Sequence, residues 1–245
     1  MLDQLSSLTG WARHCTFGLR REWLGLVLRE PQRWAAVGGL GTRQIQSLAR
    51  WLRTTGLLDQ RGKATTLYGL LEATWPEARL AWQLLWVNVI FNFPTARWYA
   101  LRMGLGEWDT LQLRTALQSS VPRLAIHTVS NAILELVGLL ERTPIGYEFG
   151  QGNVTTGRPR RVRREGLRDV ATPALLYAVQ RLFLAEGRPH LALGEDLVWP
   201  WLLFGCPFEM TLPQLAAGHA PWFSLDAQGL HLHISMEALR DVALF

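Results

Sequence analysis

Four hydrogen-bond donors fall on one side of a helical pattern in the first quarter of the chain: Arg43, Gln46, Ser47 and Arg50. In the DNA major groove, base edges present acceptors such as guanine O6 and N7, and long donors near the start of a helix can reach them. The residue types and their spacing therefore favour contact with nucleic acid. The alternatives are an exposed face that only confers solubility and a surface that contacts another protein.

Two more basic residues, Arg61 and Lys63, follow in a short polar turn, where they suit phosphate contacts that carry no sequence information. The net charge of +5 and the pI near 9.9 agree with an anionic partner. Lys63 is the only lysine, however, and such a preference for arginine is also typical of genomic composition bias. Net charge alone is therefore weak evidence.

The densest basic segment is 158–164, which follows a glycine-rich polar stretch and is predicted to be a loop. Like charges so close together repel unless water or an anion screens them. Nucleic-acid phosphate is the predicted partner, and a solvated loop is the alternative. The segment contains five arginines, namely Arg158, Arg160, Arg161, Arg163 and Arg164.

The helix that must position the first four donors is predicted from an apolar stripe. Ile45, Leu48, Ala49 and Leu52 recur at helical intervals, and Gly56 ends the pattern. Two short strands, 57–58 and 64–68, are predicted around the turn 59–63. Together with two preceding helices, these elements are typical of a winged helix-turn-helix.

The chain is long enough for one large domain or two small ones. We predict a mainly α fold with small β hairpins, in which a winged-helix unit (1–75) packs on a mainly helical unit (76–245). The second unit contains the basic loop 158–164 and a C-terminal hairpin within 221–234. Helices are predicted at 19–28, 31–37, 76–93, 107–117, 124–140, 174–184 and 235–244.

No residue pattern nominates an enzyme, a cofactor or a metal site. The sequence has no GxSxG, HExxH or Walker A motif. His231 and His233 alternate on a predicted strand, but a metal would need a third ligand, and a structural pair is the favoured interpretation. The two cysteines are far apart in sequence, and no apolar run is long enough to span a bilayer. A soluble cytoplasmic protein is therefore expected.

Twelve tryptophans are many for this length, and unpaired bases can stack on such rings. Trp82 and Trp86 stand four residues apart on an apolar helix, which favours packing in the core. Trp199 and Trp201 flank a proline and suit either a groove or an interface.

Seven short segments carry a family resemblance: 17–24, 39–41, 56–58, 66–69, 85–86, 98–99 and 143–146. Together they resemble a bacterial winged-helix domain family of unknown function. This family is encoded beside phosphoadenosine-phosphosulfate-reductase-like proteins in defence clusters of the DNA phosphorothioation type. The resemblance departs at 42–44, where Thr-Arg-Gln replaces Lys-Asn-Met, and near Asn88, where the family has histidine.

This resemblance implies a non-catalytic accessory or targeting subunit of a nucleic-acid-directed defence system. A phosphoadenosine-phosphosulfate-reductase-like protein is then an expected partner. Duplex DNA is the favoured ligand, and RNA is the alternative. The competing hypothesis is a structural subunit of a CRISPR-type ribonucleoprotein effector, in which the winged helix contacts protein or RNA. An enzyme with an unfamiliar motif is a further rival.

Overall fold

The computed structural model describes residues 5, 7–31, 33, 39–192, 203–217 and 220–243. Within them the chain is mainly helical. The helices are α1 (Arg21–Arg29), α2 (Thr42–Thr54), α3 (Thr66–Thr74), α4 (Arg79–Asn92), α5 (Pro94–Trp98, continued by a π-helical turn Tyr99–Met103), α6 (Thr110–Ser120), α7 (Ile126–Arg142), α8 (Pro144–Tyr147), α9 (Thr172–Glu186), α10 (Phe208–Ala217) and α11 (Met236–Arg240).

Two small antiparallel sheets complete the described part. The strands are β1 (Gly106–Asp109), β2 (Asn153–Val154), β3 (Arg161–Arg164), β4 (His190–Ala192), β5 (Phe223–Leu225) and β6 (Gly229–Leu232). One sheet has the order β1-β3-β2 and the other β4-β6-β5. The predicted fold class, mainly helical with small hairpins, is confirmed at this level.

The prediction of a returning strand at 64–68 is wrong. Leu58 and Ala64 form a single antiparallel bridge, and α3 begins two residues later at Thr66. Thr65 caps that helix, since its side chain accepts a hydrogen bond from the backbone N–H of Tyr68. The structure thus places a tight turn where the sequence predicts a wing. The winged-helix arrangement and the boundary near residue 75 stay predictions.

The helix predicted at 107–117 begins later, because its first residues form strand β1. Asp109 ends the strand and caps α6, and its Oδ1 accepts hydrogen bonds from the backbone N–H groups of Leu111 and Gln112. The Gln112 side chain in turn accepts from the backbone N–H of Asp109. This reciprocal capping box is the sequence signal that locates the helix start.

The other predicted helices from 19 onward are present with shifted ends, and both strands predicted within 221–234 are found. The helix predicted at 31–37 lies largely outside the described residues, as do Trp199 and Trp201. None of the described helices is long and apolar enough to cross a membrane.

The centre of the core is α4, in which every residue from Ala81 to Ile90 is buried. A helix that is buried on all sides needs neighbours on all sides, and α4 packs against α2, α3, α5, α8 and α9. Trp82 and Trp86 are both fully buried, which confirms their predicted role in packing.

A close approach of two glycines holds the segment before α1 against α7. A Cβ added at Gly18 would lie 2.1 Å from the carbonyl carbon of Gly138, well inside van der Waals contact. Only glycine fits there. Residues 13–18 therefore lie directly on α7, and this contact builds one wall of the site described next.

Candidate nucleic-acid interface

Helix α2 presents most of the predicted donors to solvent. Arg43, Gln46 and Arg50 are exposed, as the sequence predicts. The prediction of an exposed Ser47 is wrong, because this residue is fully buried. Its hydroxyl donates a hydrogen bond of 3.5 Å to the carbonyl of Phe17. Base contact by Ser47 is excluded in this conformation.

Ser47 is buried because the buried side of α2 centres on Trp51. This ring is fully buried, and its Nε1 donates to the Phe17 carbonyl at 2.9 Å. Burying so large a ring rotates the helix, so that Ile45 and Ala49 are only partly buried while Thr54 is inside. A tryptophan dominates the burial energy of a helix face, because its apolar area is the largest of any side chain.

Three arginines surround a polar pocket of about 240 Å³ on the solvent side of α2. They are Arg13, Arg50 and Arg53, and none of them forms an ion pair with any residue in the described ranges. Thr54, Gln60 and Asn92 supply the remaining walls. The pocket is therefore lined by three positive charges and by neutral polar groups. Arg53 lies on the polar side of the sequence pattern, whereas no periodicity points to Arg13.

Internal hydrogen bonds hold the pocket arginines in place. The Arg50 guanidinium donates to the backbone carbonyl of Arg13, and its Nη1 lies 3.3 Å from the Cys15 sulfur. Arg53 Nη1 donates to the Ala49 carbonyl at 3.3 Å. All of these contacts are to neutral groups, and the buried Glu135 carboxylate behind the loop offsets part of the Arg13 charge without forming an ion pair with it.

One buried carboxylate fixes the loop that carries Arg13. Glu135, on α7, accepts backbone hydrogen bonds from Arg13 at 3.2 Å, His14 at 2.9 Å and Thr16 at 3.0 Å. The loop needs this support, because Cys15 and Thr16 have φ values of 56° and 70°. Such conformations are strained for side chains other than glycine and persist only when the surroundings impose them. Glu135 is thus a positioning residue for the pocket.

His14 lies beneath the pocket and links Glu135 to its floor. The imidazole is fully buried and stacks on Trp51 at 3.7 Å. Its Nδ1 lies 3.0 Å from the Glu135 carboxylate, and its Nε2 lies 3.0 Å from the Thr54 hydroxyl. Burial lowers the pKa of His14, although the Glu135 carboxylate opposes this shift. At neutral pH the ring is uncharged, with Nδ1–H donating to the carboxylate and Nε2 accepting from Thr54.

Folding stability is expected to fall as the pH drops below about 6.5, the ordinary pKa of histidine. There the unfolded chain binds a proton at His14 that the folded protein resists, so acid favours unfolding until the lowered pKa of the folded state is reached. The slope is at most about 1.4 kcal/mol per pH unit for one proton. Urea denaturation at several pH values measures it. His14→Gln is the control, and an equal loss in both proteins would exclude His14 as the source.

The predicted basic turn adjoins the pocket. Asp59 closes the turn, since its Oδ1 accepts a hydrogen bond from the backbone N–H of Lys63 at 2.8 Å. A Cβ on Gly62 would lie 3.8 Å from Arg53 Nη2, which places the turn beside that guanidinium. Arg61 and Lys63 are exposed, and neither forms an ion pair within the described part of the chain.

The basic run 158–164 differs from the predicted loop, because Arg161–Arg164 is the middle strand of a sheet. Carboxylates neutralise most of its charge. The ion pairs are Arg160 with Glu141 at 3.4 Å, Arg161 with Glu107 at 2.9 Å and Arg163 with Glu165 at 2.8 Å. Arg158 is exposed. The run is therefore a weaker anion site than its sequence suggests.

The prediction that Arg164 contacts nucleic acid is wrong, because only 1% of its surface is exposed. In a strand, alternate side chains point to opposite faces, so Arg164 shares the buried face of Val162. Its guanidinium donates to buried carbonyl and amide oxygens inside the protein.

The described residues contain no group of three or more His, Cys, Asp or Glu side chains that could hold a metal ion. His231 Nε2 instead lies 3.1 Å from the Asp226 carboxylate, beside the ring of His190 across the sheet.

The fold and the pocket define a mainly helical protein with exposed arginines along α2 that form no ion pair among the described residues. No family model matches the chain, and no curated protein matches it. Two solved structures share the fold. A magnesium ion-bound SspB crystal structure is 14% identical with a TM-score of 0.66, and an SspB crystal structure is 15% identical with a TM-score of 0.64. Each match covers 94% of this chain and 85% of the other.

Proposed function

We propose that this protein is a non-catalytic accessory or targeting subunit of a bacterial defence system, and that it binds nucleic acid, with duplex DNA the favoured ligand. The observation that carries the proposal is the set of arginines around the α2 pocket, which form no ion pair within the described part of the chain. Arg43 and Gln46 extend this surface along α2, and Arg61 and Lys63 extend it across the adjoining turn.

Electrostatics supports an anionic ligand at this surface. Guanidiniums that share a concave pocket raise the local potential, because low-dielectric walls limit screening by water. Burial lowers the pKa of Arg13, the Glu135 carboxylate opposes this shift, and the nearby charge of Arg50 adds to it. A bound phosphate relieves this repulsion and releases counterions from DNA, which favours association at low salt.

The defence context is supported by two likenesses. Short motifs resemble a family encoded in phosphorothioation-type clusters, and the fold is shared with SspB, a phosphorothioation-associated protein. Both agree with an accessory role beside other subunits, with a phosphoadenosine-phosphosulfate-reductase-like protein as one proposed partner in the cytoplasm.

Magnesium is bound in one of the SspB structures. In this chain, the described residues do not bring together three or more carboxylate, histidine or cysteine side chains. These residues therefore nominate no magnesium site, and the activity proposed is nucleic-acid binding.

The test is a titration of the purified protein with duplex DNA, single-stranded DNA and RNA of one sequence at several salt concentrations. Duplex DNA is expected to bind most tightly, with log affinity falling by about 0.9 per decade of salt for each phosphate contacted. Salt-independent or absent binding to all three would contradict the proposal. Preference for RNA would favour the rival, a structural subunit of a CRISPR-type effector.

The same samples, incubated with magnesium and run on a denaturing gel, test the non-catalytic part of the proposal. Intact strands are expected. Strand cleavage that requires the protein would show an enzyme.

A further inference from the structure

We propose that the pocket of Arg13, Arg50 and Arg53 binds a phosphate monoester group in preference to the continuous phosphodiester backbone, which contacts the pocket rim and the rest of α2. This inference deepens the proposed function and rests on it. It separates two kinds of contact on one surface: general phosphate contacts along α2 and its turn, and one specific group in the pocket.

The charge of the pocket fits a monoester better than a diester. A phosphate monoester carries about −1.5 to −2 charges at pH 7 and offers three strong acceptor oxygens. An internal phosphodiester carries a single charge and two such oxygens. Arg13, Arg50 and Arg53 supply three guanidiniums, and no carboxylate lines the pocket to compete with the ligand. Arginine forks match such oxygens with paired, charge-assisted hydrogen bonds.

The shape of the pocket points the same way. Its walls come from separate parts of the chain: the 13–16 loop, α2, the turn at Gln60 and the end of α4 at Asn92. The result is a recess of about 240 Å³ rather than a groove along one helix. A duplex backbone is convex and continues on both sides of each phosphate, so it reaches these guanidiniums only at the rim of the recess. A terminal phosphate can enter.

The recess is organised before a ligand arrives. Asn92 Nδ2 donates to the Thr54 carbonyl at 2.9 Å, and Asn92 Oδ1 accepts from Arg181 Nη2 at 3.1 Å. The Thr54 hydroxyl is held by His14, and the backbone of Arg13 by Glu135. Fixed walls lose little conformational entropy on binding, which favours affinity for a small group.

The experiment compares two duplexes of identical sequence that differ only in a 5′-phosphate or a 5′-hydroxyl at one end, with a third that carries a 3′-phosphate. Phosphorylated ends are expected to bind roughly tenfold more tightly. Inorganic phosphate should remove this preference. So should Arg13→Gln combined with Arg53→Gln, whereas Arg43→Gln, outside the pocket, should weaken binding to all duplexes equally.

The source of the group is decided by competition with adenosine monophosphate. A mononucleotide that binds more tightly than a phosphorylated end identifies free nucleotides as the source, and the reverse identifies strand ends. Both results support a monoester site.

Failure of this inference differs from failure of the proposed function. Equal affinity for all duplex ends, with salt-dependent binding retained, overturns the monoester site alone. If no nucleic acid binds, the function fails, and thermal denaturation with inorganic phosphate decides the inference. Stabilisation that Arg13→Gln with Arg53→Gln abolishes supports the site, and unchanged melting overturns it.

Discussion

Arg50→Ala combined with Arg53→Ala is expected to weaken duplex DNA binding roughly tenfold or more at low salt and to reduce the salt slope by about two contacts' worth. Both side chains are exposed and line the pocket, and neither is paired with a carboxylate among the described residues. Their removal deletes two available charges. Exposed substitutions usually change stability by less than about 0.5 kcal/mol, so the loss should come from binding. Titration at several salt concentrations measures it.

The matched control is Arg160→Ala combined with Arg161→Ala. This pair removes the same formal charge from exposed positions, but its guanidiniums already contact Glu141 and Glu107. Its removal also frees those two carboxylates, so only a general electrostatic weakening is expected. Loss of binding in this control with retention in the α2 variant would move the interface to the 158–164 strand and reduce α2 to scaffold.

The exposed part of this interface follows from local sequence, because helical period alone places Arg43, Gln46 and Arg50 on one side of α2. Ser47 shows where period fails. The predicted apolar face of α2 leaves out Trp51, so it is rotated by a fraction of a turn from the face that the structure buries. Ser47, at the edge of the predicted face, is therefore assigned to the exposed side. Burial of the largest ring, more than the count of apolar residues, decides the orientation.

The pocket itself could not be predicted from sequence. Glu135 supports Arg13 across a separation of 122 residues, and only tertiary packing brings them together. The buried carboxylate has no local signal, since it lies within an otherwise apolar face of α7. Arg13 also lies just before Cys15 and Thr16, which have positive φ. Neither residue is a glycine or belongs to a sequence motif typical of turns, so the sequence does not predict this conformation.

The basic run illustrates the opposite error, in which a strong local signal has a structural use. Five arginines suggest a solvated loop, because the run holds only one apolar residue, Val162, and so lacks the alternation that predicts a strand. The alternation becomes apparent only once β3 pairs with β1 and β2, which places Val162 and Arg164 inside. Charge density in sequence is therefore a poor guide to charge that is available for a ligand.

Arg164 holds several loops together from inside. Its Nε donates to Gln151 Oε1 at 3.1 Å, its Nη1 to the carbonyls of Ala100 at 2.7 Å and Gly104 at 3.3 Å, and its Nη2 to that of Leu203 at 3.2 Å. Burial lowers the pKa of Arg164 to about 10, so it keeps its charge at neutral pH. The acceptors are neutral oxygens, of which the Leu203 carbonyl also accepts from Trp86 Nε1 at 2.8 Å.

Arg164→Met is therefore expected to destabilise the protein by at least about 3 kcal/mol. Each buried acceptor left without a donor costs roughly 1–3 kcal/mol, and the number of acceptors outweighs the relief from burying one charge fewer. Denaturation in guanidinium chloride measures the change. Arg163→Met is the control, because this neighbour points outward and pairs with Glu165 at the surface; it should lose less than about 1 kcal/mol.

The two variants also separate structure from binding at the basic run. If Arg164→Met folds with unchanged stability, the cost of burying the guanidinium equals the gain from its hydrogen bonds. Arg164 then makes no net contribution to the stability of the fold. If it is unstable while Arg163→Met is stable and still binds DNA, the strand serves the fold and the interface lies on α2. Weak DNA binding by a stable Arg163→Met protein would instead give the exposed face of β3 a direct share in the contact.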